Sequence, residues 1–303
     1  MNMFKSFLAL AASALLVSVA AAQTKVNIGY SPAADFTPVF AAKDKGFFEK
    51  RGLDVTLTRI PLASNIPSAI VADSLQIGMG TGSMLVQTAE AGLGLVAITG
   101  ASRFQKSNSV VSLVARPGEK IASAADFKGK KVGVPGLNSM LHVMFQKWLL
   151  DHNVPLNQVT MIEAPFPQMN DMLKGGTIDA AVAIEPFRAR ILSGNTGYRV
   201  ADYVTDIQDN VLAAFWMAKA EWAKANPQAV RAYREAYDEA LDWCVKNPEE
   251  AKQLQVKYLG FPSPVIPSYS SAISAKDLEI FEQAGRQVGM LRQPVDVRNL
   301  VWK

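Results

Sequence analysis

The chain has 303 residues, of which 49% are hydrophobic and 19% are charged, and its formal net charge is +4. This composition is typical of a globular protein. Because the basic residues form no cluster, nucleic acid is not an expected partner. The single cysteine, Cys244, excludes an internal disulfide, so the stability of the fold has to come from a sizeable hydrophobic core.

Residues 1–22 have the three parts of a secretory signal peptide. Lys5 gives a positive start, residues 7–20 are apolar or small, and alanines occupy the −3 and −1 positions before Gln23. The apolar run is shorter than the ~20 residues of a membrane-spanning helix, which disfavours a transmembrane anchor. A lipid anchor would need a cysteine at the position of Gln23. The sequence therefore predicts cleavage and a soluble mature chain in the periplasm.

The first part of the mature chain alternates short β-rich runs with segments of helical pattern. Thr37 and Pro38 have the composition of a helix start. An alternating series of this kind predicts a mainly parallel sheet covered by helices. The predicted strands cover residues 26–30, 53–58, 75–79 and 95–99, and the predicted helices lie between them.

The series restarts in the second part of the chain and ends in a mainly helical tail. A stripe of apolar residues at spacings of three or four, which includes Tyr233, Tyr237 and Cys244, predicts a core-facing helix. The sequence thus predicts an α/β protein with two lobes and a cleft between them. Lobe I covers 23–110 and 214–303, lobe II covers 111–213, and the β-like runs 109–115 and 211–219 are the predicted crossover strands.

The motifs of catalysis and of metal or cofactor binding are absent from the sequence. The glycines at 78, 80 and 82 lack the dinucleotide-binding spacing. His142 and His152 are ten residues apart and have no cysteine cluster beside them, so they do not predict a metal site. We therefore expect no catalytic residues, no metal and no cofactor. A secreted enzyme with an unrecognised Ser-His-Asp triad stays open as an alternative.

Two loops at predicted strand ends have the composition of anion-binding loops. Thr81-Gly82-Ser83 opens a helix in the first lobe, and residues 136–139 open one in the second. Free backbone N–H groups and the helix dipole both favour a negative group at such positions. Simple capping of the helix by serine or asparagine is the alternative for each loop.

Four segments of the chain resemble the periplasmic solute-binding proteins of ABC importers. The resemblance is to the family of sulfonate, taurine and nitrate binders and of NMT1/THI5-like binders of the thiamine pyrimidine precursor. It departs at Gln76, where that family often has aspartate. The matching segments are VNIGYSPAADFTPVFAAKDKGFFEKRGLDVTL (26–57), SLQIGMGTGSMLVQTAEAGLGLVAI (74–98), IASAADFKGKKVGVPGLNSMLH (121–142) and APFPQMNDMLKGGTIDAAVAIEPF (164–187).

The resemblance implies a type II periplasmic binding protein fold, in which each lobe has a mainly parallel sheet. It also implies a monomer that closes on a small-molecule solute and docks on an inner-membrane ABC permease driven by a cytoplasmic ATPase. A receptor-coupled sensor is the other role of this fold. Carried over residue by residue, the resemblance places at the cleft Tyr30, Ser31, Phe36, Thr37, Thr81, Gly82, Ser83, Ser102, Phe104, Asn138, Ser139, His142, Phe166, Glu185 and Trp216.

Glu185 is the predicted site residue that best discriminates between solutes. A carboxylate in a closing cleft needs a donor or a cation, so it favours an amine-bearing solute or an aminopyrimidine over an inorganic anion. An internal ion pair with Arg188 or Arg190 is the alternative for Glu185. The aromatic residues of the site, among them Phe166 and Trp216, either sandwich the solute or pack inside a lobe. The expected solute is thus a sulfonate-like organic anion, an amine or an aromatic heterocycle.

Overall fold

The structure is a computed structural model that describes residues 23–303. The predicted signal peptide lies outside the described residues. Within them, no helix is both long and apolar enough to span a membrane. The strands are β1 (Thr24–Tyr30), β2 (Leu53–Arg59), β3 (Ile77–Gly80), β4 (Leu95–Phe104), β5 (Val111–Ala115), β6 (Lys131–Val134), β7 (Thr160–Glu163), β8 (Ala180–Ile184), β9 (Tyr198–Ala201), β10 (Val211–Lys219) and β11 (Ser268–Tyr269).

Helices follow most of these strands and form the outer layers. They are α1 (Thr37–Asp44), α2 (Ile66–Val71), α3 (Gly82–Glu90), α4 (Met140–Asp151), α5 (Phe166–Lys174), α6 (Phe187–Ser193), α7 (Tyr203–Ile207), α8 (Ala220–Ala225), α9 (Pro227–Lys246), α10 (Pro248–Leu259) and α11 (Lys276–Gln287).

The strands form two separate sheets, which confirms the predicted two-lobed α/β fold. The first sheet has the order β11-β4-β10-β3-β1-β2, and the second has the order β7-β6-β8-β5-β9. The chain passes between the sheets twice, once through residues 105–110 and once through residues 208–210. The two predicted crossover strands each belong to one sheet and do not bridge the two. β5 pairs within the second sheet, and β10 pairs within the first.

Each sheet is mixed, where the sequence predicted a mainly parallel one. Among the eleven described strands, β1 pairs parallel with β2 and β3, and β6 pairs parallel with β7 and β8. In contrast, β5 and β10 pair antiparallel with their neighbours on both sides. Both strands follow a short segment that crosses from the other sheet. Because parallel neighbours need a long crossover connection, usually a helix, these two strands pair antiparallel.

The central strands are buried because helices cover both faces of each sheet. Every residue of β8 and all but the last residue of β10 are buried, as expected for strands rich in alanine and valine between two helical layers. The apolar stripe of α9 is buried as well, which confirms the prediction from its spacing. Burial raises the pKa of the Cys244 thiol to about 12, so this group is an inert part of the core.

A stack of aromatic rings connects this core to the loop after β1. Tyr233 and Tyr237 of α9 stack with their ring centres 5.9 Å apart, and Trp216 of β10 packs edge-on against both. Phe36 in turn packs edge-on against Trp216 at 5.3 Å. Edge-to-face pairs of this kind fix ring orientation as well as burying area. The stack therefore holds Phe36, and the loop that carries it, in one position.

Gly100 marks a close approach between β4 and the segment after β11. Its N–H donates to the Ser271 carbonyl at 2.9 Å, and an added Cβ would lie 2.6 Å from the Ser270 carbonyl oxygen. We expect Gly100→Ala to lower the free energy of unfolding by about 1–3 kcal/mol, measured by urea denaturation, because backbone cannot move aside as a flexible side chain can. Ser271→Ala keeps the backbone contact and should leave the midpoint unchanged. An unaltered midpoint for Gly100→Ala would contradict this packing.

Candidate functional site

An enclosed cavity of about 40 Å³ lies between the two sheets. Most of its walls come from loops and helix starts that follow β1, β3, β6 and β7, at the carboxyl ends of these strands, where open α/β sheets bind ligands. Residues of β4, β8 and β10 complete the walls. Both sheets contribute to it. The lining residues are Ser31, Ala33, Asp35, Phe36, Ala63, Met79, Thr81, Phe104, Pro135, Ser139, Met140, Leu141, Phe166, Ile184, Ala213 and Ala214.

A larger groove of about 840 Å³ opens at the surface beside α4, α7 and α11. Its lining includes Lys147, Asp151 and Asp277, whose charges are already paired with other side chains of the chain. The smaller cavity is the better candidate for a specific site because its lining residues are buried and three of their polar oxygens lack partners.

Asp35 is the ionisable residue in the wall of the enclosed cavity. It lies in a short 3₁₀ turn, Ala34–Phe36, directly after β1, and only 2% of it is exposed. Its Oδ1 accepts a hydrogen bond from the Ser102 hydroxyl at 2.5 Å, whereas its buried Oδ2 has no partner among the described residues. Burial raises the pKa of Asp35 to about 6, and the nearby Glu185 charge contributes in the same direction.

Two serine hydroxyls on opposite walls of the cavity also lack a hydrogen-bond partner, as Asp35 Oδ2 does. Ser31 follows β1 of the first sheet, and Ser139 precedes α4 on the side of the second sheet. Both hydroxyl oxygens are buried and, within residues 23–303, have no hydrogen-bond partner. Most buried polar groups in proteins are paired, so three such oxygens around one cavity indicate a place for a polar ligand or for ordered water.

The loop before α4 joins the two lobes through hydrogen bonds. The Ser83 hydroxyl donates to the Asn138 carbonyl at 2.8 Å, and the Met140 N–H donates to Thr81 Oγ1 at 3.2 Å. The Asn138 N–H donates to His142 Nδ1 at 3.0 Å, which ties the loop to the first turn of α4. Burial lowers the pKa of His142 to about 4, so this imidazole is a neutral acceptor at physiological pH.

Glu185 forms an ion pair with Arg188 at 2.7 Å, the alternative that the sequence left open. Its second oxygen accepts from the Ala189 N–H at 3.3 Å, and Arg188 also donates to the Ser109 carbonyl. Glu185 does not line the cavity, although its backbone carbonyl accepts from the Ala34 N–H across the lobes at 3.0 Å. Its carboxylate is therefore neutralised inside the second lobe.

The fifteen predicted site residues fall into two groups. The structure places six of them in the wall of the cavity, namely Ser31, Phe36, Thr81, Phe104, Ser139 and Phe166. It places nine behind the wall or at lobe contacts, namely Tyr30, Thr37, Gly82, Ser83, Ser102, Asn138, His142, Glu185 and Trp216.

Several residues of the second group have clear structural partners. Tyr30 packs edge-on against Phe40 with the ring centres 4.9 Å apart. The Thr37 hydroxyl donates to the Ala34 carbonyl at 2.7 Å. Gly82 lies so close to Phe281 that an added Cβ would be 1.9 Å from its ring. Asp35 lines the cavity but was not among the predicted site residues. The sequence feature that could have indicated it is an acidic residue in the otherwise uncharged stretch 31–42.

The chain is similar to one family of proteins in sequence and to solute-binding proteins of known structure in fold. The NMT1/THI5 like family matches residues 33–251. The chain belongs to this family. It is 28% identical over 250 residues to the nitrate/nitrite binding protein NrtA of Nostoc sp., an alignment that covers 75% of this chain and 56% of NrtA. The chain thus spans about half the length of this relative.

Two solved structures share the fold of this NMT1/THI5-like chain. The alkanesulfonate-binding protein SsuA from Xanthomonas axonopodis pv. citri, bound to MOPS, superposes with a TM-score of 0.79 at 16% identity, over 93% of this chain and 99% of SsuA. The periplasmic nitrate-binding protein NrtA from Synechocystis PCC 6803 superposes with a TM-score of 0.78 at 17% identity, over 91% of this chain and 84% of that one. These likenesses establish the two-lobed fold.

The raised pKa of Asp35 makes the stability of the unliganded protein depend on pH. Between its ordinary value of 3.8 and about 6, the folded carboxyl binds more protons than the unfolded one, so stability falls as pH rises through this window. Asp35→Asn lacks this titration. Its free energy of unfolding, relative to the parent, should therefore be higher at about pH 8 than at about pH 4, by up to ~3 kcal/mol.

Urea denaturation of both proteins at the two pH values measures this difference. The lowered pKa of His142 affects both proteins alike and cancels in the comparison. Asp54→Asn, a matched change on the exposed side of β2, is the control for the loss of one carboxylate at the surface. An equal effect of Asp35→Asn at both pH values would contradict the burial of a titrating carboxyl at this site.

Proposed function

We propose that the protein is the extracytoplasmic solute-binding component of an ABC import system. It captures a small organic solute between lobe I (23–110 and 214–303) and lobe II (111–213), and delivers it to an inner-membrane permease driven by a cytoplasmic ATPase. Cleavage after residue 22 leaves the mature chain in the periplasm, where it acts as a monomer.

The observation that carries this proposal is the enclosed cavity at the strand ends, whose lining residues from both lobes include three with buried, unpaired polar oxygens. Ser31 and Asp35 line it from the first lobe and Ser139 from the second. A molecule bound there contacts both lobes at once, so it stabilises the closed arrangement over an open one. The names of the NrtA and SsuA relatives, which are binding proteins, support the same role.

Closure rests on a small set of hydrogen bonds between the lobes. The Ser64 hydroxyl donates to Glu163 Oε1 at 2.7 Å, and the Ser83 hydroxyl donates to the Asn138 carbonyl. Each bond contributes only about 1 kcal/mol. A solute that binds both lobes shifts the population towards the closed state by its differential affinity, and no covalent step is involved.

A secreted enzyme is less well supported by the geometry. Among the described residues, His142 is hydrogen-bonded through Nδ1 to the Asn138 N–H and His152 through Nδ1 to the Trp148 carbonyl. Neither imidazole is hydrogen-bonded to a serine or a carboxylate, whereas a Ser-His-Asp triad requires both contacts. Among the described residues that line the cavity, Asp35 is the one carboxylate, and it accepts from Ser102, whose hydroxyl lies behind the wall.

The distance between the lobes should report the bound state. Thr58 on β2 and Lys174 on α5 are exposed and belong to different lobes, so spin labels on cysteines placed there do not touch the cavity. We expect solutes from a panel of sulfonates, amines, pyrimidines and nitrate that bind the protein to collapse a broad distance distribution to one short distance, measured by pulsed electron spin resonance. Binding without any change in this distribution would refute capture by closure.

The Ser64–Glu163 hydrogen bond should favour closure even without solute. Ser64→Ala removes it, and we expect the ratio of closed to open molecules to fall by about 2- to 10-fold in the same distance measurement. Ser68→Ala is the matched control, because the Ser68 hydroxyl donates within its own segment to the Asn65 carbonyl. Equal populations in the two variants would show that this bond does not contribute to closure.

A further inference from the structure

The charge of the cavity wall restricts what the cavity can bind. Among the lining residues, all of them in the described part of the chain, Asp35 is the single acidic one, and none is lysine, arginine or histidine. The rest of the wall is apolar or carries small hydroxyl groups. The cavity thus presents one buried negative charge and no positive side chain to offset it.

The direction of the Ser102 hydrogen bond defines what Asp35 lacks. Ser102 is fully buried, and its hydroxyl donates to Oδ1. An ionised carboxylate only accepts hydrogen bonds, so the orphaned Oδ2 needs a second donor. No described residue supplies it, and Oδ2 belongs to a residue that lines the open space of the cavity.

We propose that the solute carries a protonated amine or another N–H group that donates to Oδ2 of Asp35, with an apolar body packed among the rings of Phe36, Phe104 and Phe166. This inference rests on the proposed solute-binding function and specifies its substrate class. Ser31 and Ser139 complete the site, because their unpaired hydroxyls can bind a polar group at the other end of the solute. Asp35 is the residue that determines specificity.

Two of the three rings are held in place by aromatic neighbours outside the cavity, so they form a preorganised part of the wall. Phe36 packs against Trp216, and Phe166 stacks on Phe187 with the ring centres 6.1 Å apart. Such a wall suits an alkyl or flat aromatic body.

An inorganic oxyanion is a poor solute for this cavity on the same grounds. Nitrate would enter an enclosed, apolar space next to the Asp35 carboxylate with no cation to pair with it. Both like-charge repulsion and the loss of hydration oppose that transfer. The electrostatics of this site therefore differ from those that a nitrate binder requires.

Matched pairs of compounds test the need for a nitrogen donor. The pairs are 2-aminoethanesulfonate with ethanesulfonate, 4-aminopyrimidine with 4-methylpyrimidine, and butylammonium with butanoate, with nitrate as a further probe. Affinity is measured by isothermal titration calorimetry on the mature chain at neutral pH. We expect binding by nitrogen-donor members and at least a 10-fold weaker affinity for their partners, since a hydrogen bond to a charged group is worth roughly that factor or more.

Asp35→Asn should change which solutes bind best, and a merely misfolded protein would not show such a change. The amide still accepts from Ser102 but presents an N–H group to the cavity, so nitrogen-donor solutes should bind about 10- to 100-fold more weakly while their acceptor-bearing partners gain affinity. Asp54→Asn, an exposed change on β2, should bind like the parent.

Three results would overturn the inference: donor-free members that bind as tightly as their partners, an Asp35→Asn protein with unchanged preferences, or no binding by any nitrogen-donor member at millimolar concentration. If donor-free compounds bind and also shorten the distance between the lobe labels, the inference about Asp35 fails while the proposed function stands. If no solute of the wider panel shortens that distance, the proposed function itself fails.

Discussion

A carboxylate oxygen without a partner, held out of water between two sheets, costs free energy that the fold alone does not recover. The Ser102 hydroxyl offsets this cost for Oδ1 of Asp35 and leaves the buried Oδ2 without a hydrogen-bond donor. Above the raised pKa of Asp35, where the carboxyl is ionised, two events relieve it: the lobes separate and water enters, or a solute donates to Oδ2. Binding and closure are therefore coupled through one atom, because the closed state is fully favourable only when the donor is present.

The position of Asp35 follows from the packing beneath it. Its 3₁₀ turn lies between β1 and α1, and Phe36 in that turn is held by Trp216 of β10. Trp216 rests in turn on the tyrosines of α9. The long helix α9, far from the site in sequence, thus fixes the geometry of the first loop. Trp216 and Tyr237 act on the site from the core, without touching a solute.

Sequence pattern could predict the strands, their ends and the loops that meet there, because alternation of strand and helix determines which loops share an edge. Sequence pattern could not decide which partner a charged side chain takes. Glu185 and Arg188 have a spacing of three residues that permits an ion pair within a helical turn, and in the folded chain that pair forms. Asp35 has no charged neighbour nearby in sequence. Its importance depends on Ser102, 67 residues further along, and such a contact exists only after the sheet has formed.

Membership of the NMT1/THI5-like family accounts for the two lobes but does not determine the solute. Residues that build the lobes, such as the buried alanines of β8, keep the same task whatever is bound. The solute is selected instead by the few side chains that line the cavity. A carboxylate at position 35, in a wall that has no cationic side chain, attracts a hydrogen-bond donor rather than an anion. Binding of an anion at the same place would need a cation or an array of N–H donors, and the side chains that line this cavity contain neither.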